Sequence, residues 1–238
     1  AFTGRAGASY QFANGFAPYV SYMESFLPTT GTDAAGNPFE PETAHQYEVG
    51  VKYQPNTDTL VTLAWFDLTR EDYLTTNPTS FANEQKGEAN SRGLEVEART
   101  RLFHALDVIA SYSYTDAEIT KASNPVEEGE PLEYTPEHEA ALWGKYNFRG
   151  GMLHGLGLGA GVRYIGESFG AAFNAANSAL EVPDVTLVDA AVTYDIGQVS
   201  LGLHAQNLLD EKYVATAFDS SGTYGTRREV TGSVTYRF

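Results

Sequence analysis

The side chains that most often do chemistry are thinly spread in this sequence. The five His residues stand at His45, His104, His138, His154 and His204, with no His-x-x-x-His pair and no Ser, His and acid set in a recognisable order. Cys is absent, which removes disulfides, thiolate metal sites and Cys nucleophiles together. The densest run of ligand-type groups is acidic, from Asp116 to Glu139, with Glu127, Glu128, Glu130, Glu133 and Glu137. Its spacing lacks the EF-hand pattern that would gather oxygens around Ca²⁺, so a solvated acidic loop is the simpler reading. No catalytic residue, no metal site and no resident cofactor are expected. What remains is aromatic: 15 Tyr and 13 Phe offer faces for contact recognition, which need rigid elements to aim them.

Those elements are read from periodicity. One phase of Phe2 to Phe12 is Phe2, Gly4, Ala6, Ala8, Tyr10 and Phe12, against Thr3, Arg5, Gly7, Ser9 and Gln11. The same period of two recurs in YEVGVKY, GLEVEART, LDVIASYSYT, ALWGKYNF, LGLGAGVRY, LVDAAVTYD, VSLGLHAQN and the final VTGSVTYRF. TLVTLAWFDL has apolar residues in both phases, and FAPYVSYM carries Pro18, which suits an edge or an irregular place. The sum is about eleven strands and no helix. Short turns such as 13–15, 55–58 and 195–198 alternate with long loops around 27–44, 75–89, 118–137, 167–184 and 208–226.

A soluble β-sandwich also alternates, but it has no reason to put every long loop at one end. A transmembrane antiparallel β-barrel does, and it also places aromatic girdles at both interfaces. Tyr10, Phe12, Tyr53, Phe103, Tyr146, Phe148, Tyr194, Tyr236 and Phe238 all fall at the short-turn ends of their strands. The mean hydropathy of -0.30 is compatible with this all-β reading, because the lipid face occupies only every second residue. A formal net charge of -16 argues against a nucleic-acid partner, which needs a basic patch. An odd strand count ending at the short-turn side places the first strand's start at the long-loop side. Since bacterial barrels have even counts, the chain is expected to be the C-terminal part, 1–238, of a longer barrel.

QYEVGVKYQP, GEANSRGLEVEA, ASYSYTDAEI, YTPEHEAALWGKY and NLLDEKYVATAF, in order over nearly the whole chain, resemble the C-terminal half of TonB-dependent siderophore receptors of the ferric hydroxamate branch. The resemblance implies half of a 22-stranded barrel in the outer membrane of a Gram-negative bacterium, with the plug domain and the first half of the barrel outside this chain. It implies a receptor and transporter rather than an enzyme. A ferric siderophore would be bound outside, iron would arrive already chelated, and the TonB complex would act through the N-terminal region. Other TonB-dependent cargoes (haem, cobalamin or a glycan), a passive porin and an outer-membrane esterase are the alternatives.

On this resemblance Phe218 matches a ligand-facing aromatic of the hydroxamate receptors. Relatives often hold a Cys pair around it, where Ala217 and Thr223 stand here. Tyr224, Phe173, Phe39, Phe81 and Tyr73 lie on or beside long loops and are further candidates to line the mouth. Arg5, Lys52, Glu95, Glu97, Arg99, Asp107, Asp189, His204, Glu229 and Arg237 fall in the polar phase and are expected to line the lumen. The alternative reading of the acidic loop, set against the simpler solvated one, is that its carboxylates hold Ca²⁺ or Mg²⁺ bridged to lipopolysaccharide phosphates. Tyr236 and Phe238 resemble the C-terminal signal read by the barrel assembly machinery, with Gly232 next to the position, Ser233, where that signal commonly has Gly.

Overall fold

The computed structural model describes residues 2–170, 180–218 and 221–238. Its strands are β1 (Arg5–Ser9), β2 (Phe16–Leu27), β3 (Glu42–Asn56), β4 (Thr59–Thr76), β5 (Asn83–Leu102), β6 (Leu106–Lys121), β7 (His138–Asn147), β8 (Leu156–Ile165), β9 (Ser168–Phe169), β10 (Glu181–Val182), β11 (Val185–Ile196), β12 (Val199–Gln206), β13 (Val214–Phe218), β14 (Ser221–Tyr224) and β15 (Glu229–Tyr236). An 11-stranded sheet runs in the order β1-β2-β3-β4-β5-β6-β7-β8-β11-β12-β15. Every neighbour in it is antiparallel. These are the segments marked by alternation. β9 with β10, and β13 with β14, make small ladders inside the last two long loops. Among the described residues the helical structure is two single 3-10 turns, Pro125–Glu127 and Gly151–Leu153. Among the described residues no helix is long and apolar enough to cross a membrane.

Cross-strand pairing sorts the side chains into two faces, because residues directly opposite one another share a face. One row reads Val20, Val49, Trp65, Leu94 and Tyr114, and a lower one Leu106, Tyr146, Leu158, Val192, Leu203 and Gly232. The opposite face reads Tyr19, Gly50, Ala64, Glu95, Ser113 and Glu139. The apolar rows are exposed rather than packed on a second layer. Between its edge strands β1 and β15 such a sheet satisfies its backbone polar groups through its ladders, and it turns the usual core outward, which suits lipid as the solvent of one face.

Three sequence expectations are corrected in detail. Long loop 75–89 shrinks to 77–82, because β4 and β5 go on pairing to Thr76 opposite Asn83 through two register shifts around Tyr73. β1 covers only Arg5–Ser9 of the expected 2–12. Pro18 lies inside β2 opposite Val51. Its carbonyl accepts from Tyr10 N–H at 3.1 Å, so its missing donor faces the β1 side, just past the last pair, Ser9 with Tyr19. The two-sided apolar pattern of β4 is also explained. Val61, Leu63 and Trp65 share the apolar face, whereas Phe66 turns inward against Gly93, where a Cβ would lie 3.0 Å from its ring.

Candidate functional site

The polar face of the sheet is a wall of mixed sign. Arg163 forks onto Asp189 at 2.7 and 3.1 Å, Arg101 meets Asp107 at 2.6 Å, and Asn147 donates to the other Asp107 oxygen at 2.9 Å. Glu48 accepts from Tyr19 Oη at 2.6 Å and from Gln46 Nε2 at 3.2 Å, with Lys52 over the Tyr19 ring at 5.2 Å. Arg5, Lys52, Glu95, Glu97, Arg99, Asp107, Asp189, His204, Glu229 and Arg237 all have the parity of this face. A wall of this kind offers hydrogen bonds and both charges to whatever fills the space, with little net attraction for one sign.

At the long-loop end a packed knot appears where alternation stops. The Asn207 backbone adopts φ +47°, and the residue is only 3% exposed. Its N–H donates to Asp189 Oδ1 at 2.9 Å, its Nδ2 donates to the carbonyls of Glu211 and Thr226 at 2.9 and 3.1 Å, and its Oδ1 accepts from Glu211 N–H at 2.7 Å. Asn suits this place because it tolerates the left-handed region and carries both a donor and an acceptor. The knot closes the base of loop 207–228 and ties it to the wall ion pair. On β11, the strand that carries Asp189, Leu187 is 1% exposed, with Val185 and Ala191 also buried.

Asp210 closes the same loop from outside. It accepts from Arg227 Nε at 2.8 Å and from Arg228 N–H at 3.1 Å. The Arg227 guanidinium, then the Arg228 N–H, hold its carboxyl down from 3.8 to about 2. A lowered carboxyl stabilises the folded loop fully above the unfolded value, and that contribution is lost as pH falls from about 4 through about 2. Relative to its intrinsic rate, the Arg228 amide is therefore expected to exchange slowly at pH 5 and with clearly weaker protection at pH 2. Protection that does not change across this window would refute the role of Asp210.

The aromatic candidates do not form one cluster. Tyr73 lies opposite Gly87, with the Arg70 guanidinium 4.8 Å from its ring centroid and Arg70 forked onto Glu42. Its hydroxyl is buried without a hydrogen-bond partner. Phe39 lies against Gly31 within its own loop and is half-buried. Phe81, 80% exposed, sits at the tip of the β4–β5 hairpin. Phe218 pairs with Ser221 and Tyr224 with Val214, so strand alternation sets these two on opposite faces of the β13–β14 hairpin; both are exposed, at 56% and 76%. Phe173 lies outside the described residues. In the acidic loop, Glu127 accepts from Asn124 Nδ2 at 3.0 Å, and among the described residues no three His, Asp or Glu converge as a metal site would require.

Sequence reading missed the second aromatic girdle, at the long-loop end of the apolar face. Tyr22 and Tyr47 are 4.9 Å apart; Tyr112 Oη lies 2.9 Å from His138 Nδ1, and Tyr114 and His138 rings are 5.2 Å apart. At the other end Tyr10 meets Phe12 at 4.7 Å, Phe16 meets Tyr53 at 4.3 Å, and Tyr146 meets Phe148 at 4.8 Å. The missed signal was a Tyr or His in the apolar phase of β2, β3, β6, β7 and β8, away from the short turns: Tyr22, Tyr47, Tyr114, His138 and Tyr164. Two girdles bracketing an apolar band are the signature of a sheet that spans a bilayer.

A membrane-spanning antiparallel wall with a polar interior and loops gathered at one end is the wall of an outer-membrane barrel. The chain belongs to the family described as TonB dependent receptor-like, beta-barrel, which matches residues 1–208. It is 42% identical to the ferrichrome outer membrane transporter/phage receptor of Escherichia coli K12, over 100% of this chain and 32% of that protein. It is 37% identical to the ferrioxamine B receptor of Salmonella typhimurium, over 98% of this chain and 34% of the relative. The fold matches that of Pseudomonas aeruginosa FpvA, in a structure bound to heterologous pyoverdines, with a TM-score of 0.83 at 23% identity over 98% of this chain and 32% of the other. The chain thus spans about a third of the length of the curated relatives it matches.

Proposed function

We propose that this chain forms the C-terminal half of a 22-stranded receptor barrel whose first half and N-terminal plug belong to a longer polypeptide, and that the complete protein imports a ferric siderophore of the hydroxamate type. The observation that carries the reading is 42% identity to a ferrichrome transporter along the whole chain. The wall supports it physically. A hydroxamate chelate is compact and nearly neutral outside, so a mixed-sign wall and aromatic loops suit it better than a strongly basic funnel would. Glu95, Glu97 and Glu139 present carboxylates to the lumen, where a plug would meet them.

In this reading the siderophore contacts Phe218 first, with Tyr73, Tyr224, Phe173, Phe39 and Phe81 as further mouth residues, and iron is cargo rather than cofactor. TonB acts through the absent plug, the acidic loop meets lipopolysaccharide, and Tyr236 and Phe238 are read by the assembly machinery. Cells relying on the complete receptor are expected to grow with a ferric hydroxamate as sole iron source only when TonB is present. Growth without TonB would point to a passive porin, and failure on hydroxamates with growth on haem would change the cargo. Phe218→Ala is expected to weaken siderophore binding about tenfold, the effect of truncating one central aromatic contact; unchanged affinity removes Phe218 from the site.

A further inference from the structure

The long-loop rim contains a set of side-chain bonds that no single loop needs for its own closure. Loop 28–41 is tied to the β4–β5 hairpin by a double bond pattern: Glu40 N–H donates to Gln85 Oε1 at 2.7 Å, and Gln85 Nε2 donates back to Glu40 O at 2.6 Å and to Asp72 O at 3.0 Å. That hairpin is tied in turn to loop 122–137. Thr75 Oγ1 and Ser123 Oγ lie 2.7 Å apart, and Ser123 Oγ donates to Glu84 Oε2 at 3.0 Å. Asn77 Nδ2 holds the other Glu84 oxygen at 2.9 Å, so the hairpin tip and the neighbouring loop share one carboxylate.

Loop 122–137 then reaches the last two loops through Tyr134. Tyr134 N–H donates to Phe169 O at 2.8 Å, and Tyr134 Oη donates to Ala217 O at 2.8 Å. Gly170 lies so close to Ala217 that a Cβ at position 170 would overlap it. Several of these groups are sheltered: Thr75, Asn124 and Ala217 are all buried, so water competes poorly for their partners.

We infer that the four long loops and the β4–β5 hairpin tip at this end form, through their described residues, one hydrogen-bonded collar with Gln85, Ser123 and Tyr134 as its links, so that the mouth of the barrel moves as a unit. A loop tied at one end only would fluctuate independently, and local openings in proteins do occur in contiguous cooperative units. The functional meaning, a mouth that closes around cargo as one body, rests on the import reading; the collar itself does not.

The test is hydrogen exchange by mass spectrometry on the complete receptor without ligand, comparing the parent with Tyr134→Phe, which removes one hydroxyl. Exchange around Ala217 is expected to rise about three- to tenfold, the range corresponding to about one net hydrogen bond. Exchange at Glu40, which has no bond to Tyr134, is expected to rise at least about twofold, because distant independent sites do not respond to one another. Gln85→Leu gives the reciprocal reading at Ala217. Rises confined to each variant's own bonded partners overturn the collar. Should Tyr134→Phe fail to assemble, Ser123→Ala cuts the middle link, and the same remote readouts at Glu40 and Ala217 decide. No siderophore enters the experiment, so a wrong cargo leaves this result standing, and independent loops leave the import reading standing.

Discussion

Asn207→Ala in the complete receptor is expected to destabilise the base of loop 207–228 by about 2–4 kcal/mol. Three side-chain bonds vanish at once, and the Glu211 N–H loses its partner beside a residue that is 3% exposed. A buried donor left unsatisfied costs about 1–3 kcal/mol, and holding Ala at φ +47° adds about 1–2 kcal/mol. Trypsin cleavage at Lys212, Arg227 or Arg228 would measure the effect as a faster cut in the folded receptor. Asn207→Gly separates the two costs, since it relieves the backbone and still loses the bonds. Equal cleavage rates in parent and Asn207→Ala would mean that the loop is held by packing alone.

The second large effect belongs to the inner wall. Tyr19 lies flat on Gly50, its Cε1, Cζ and Oη each 2.6 Å from where a Cβ would stand. Gly50→Ala therefore evicts the ring, which breaks its bond to Glu48 and its contact with Lys52. Overpacking of this kind costs about 1–3 kcal/mol. Thermal unfolding of the detergent-solubilised receptor should show the loss, and Tyr19→Ala in the same background should recover about 1 kcal/mol relative to additivity, since the clash needs both groups. Additive losses would show that the glycine serves the backbone rather than the ring. Trp143 on Gly159 and Tyr73 on Gly87 repeat the arrangement, and in all three pairs the ring leans toward the strand that follows it in the chain.

How much of this was legible in advance depends on range along the chain. The period of two is a local property, and it marked most strands of the sheet and both their faces, including the lumen parity of Asp189 and His204, whereas β2 with Pro18 and β4 with apolar residues in both phases fitted it less cleanly. Pairing partners are not local. That Tyr19 opposes Gly50, or that Phe66 has a trench at Gly93, follows from register, which no single strand reveals. The same limit hid the continuation of β4 and β5 past Tyr73, because a register shift breaks the alternation that a reader follows. NLLDEKY was visible as a resemblance, but the work of Asn207 was not, since its partners include Asp189 and Thr226 on either side of the motif. The mouth candidates were chosen by residue type and loop position alone. That choice set together a half-buried Phe39 and Tyr73, whose hydroxyl is buried with no partner among the described residues.

The dispersal of apolar residues into every second position has a consequence for the journey as well as the destination. A polypeptide bound for the outer membrane must first cross the inner one as an unfolded thread. A segment apolar at every position over about 20 residues would halt there as a helix. Here Val49 is followed by Gly50, Leu94 by Glu95 and Val230 by Thr231. The thread reads as water-soluble until neighbouring strands align, and its greasy side comes into being only with the sheet. The chain thus carries its membrane address in its pairing, hidden from the first bilayer it meets and displayed to the second.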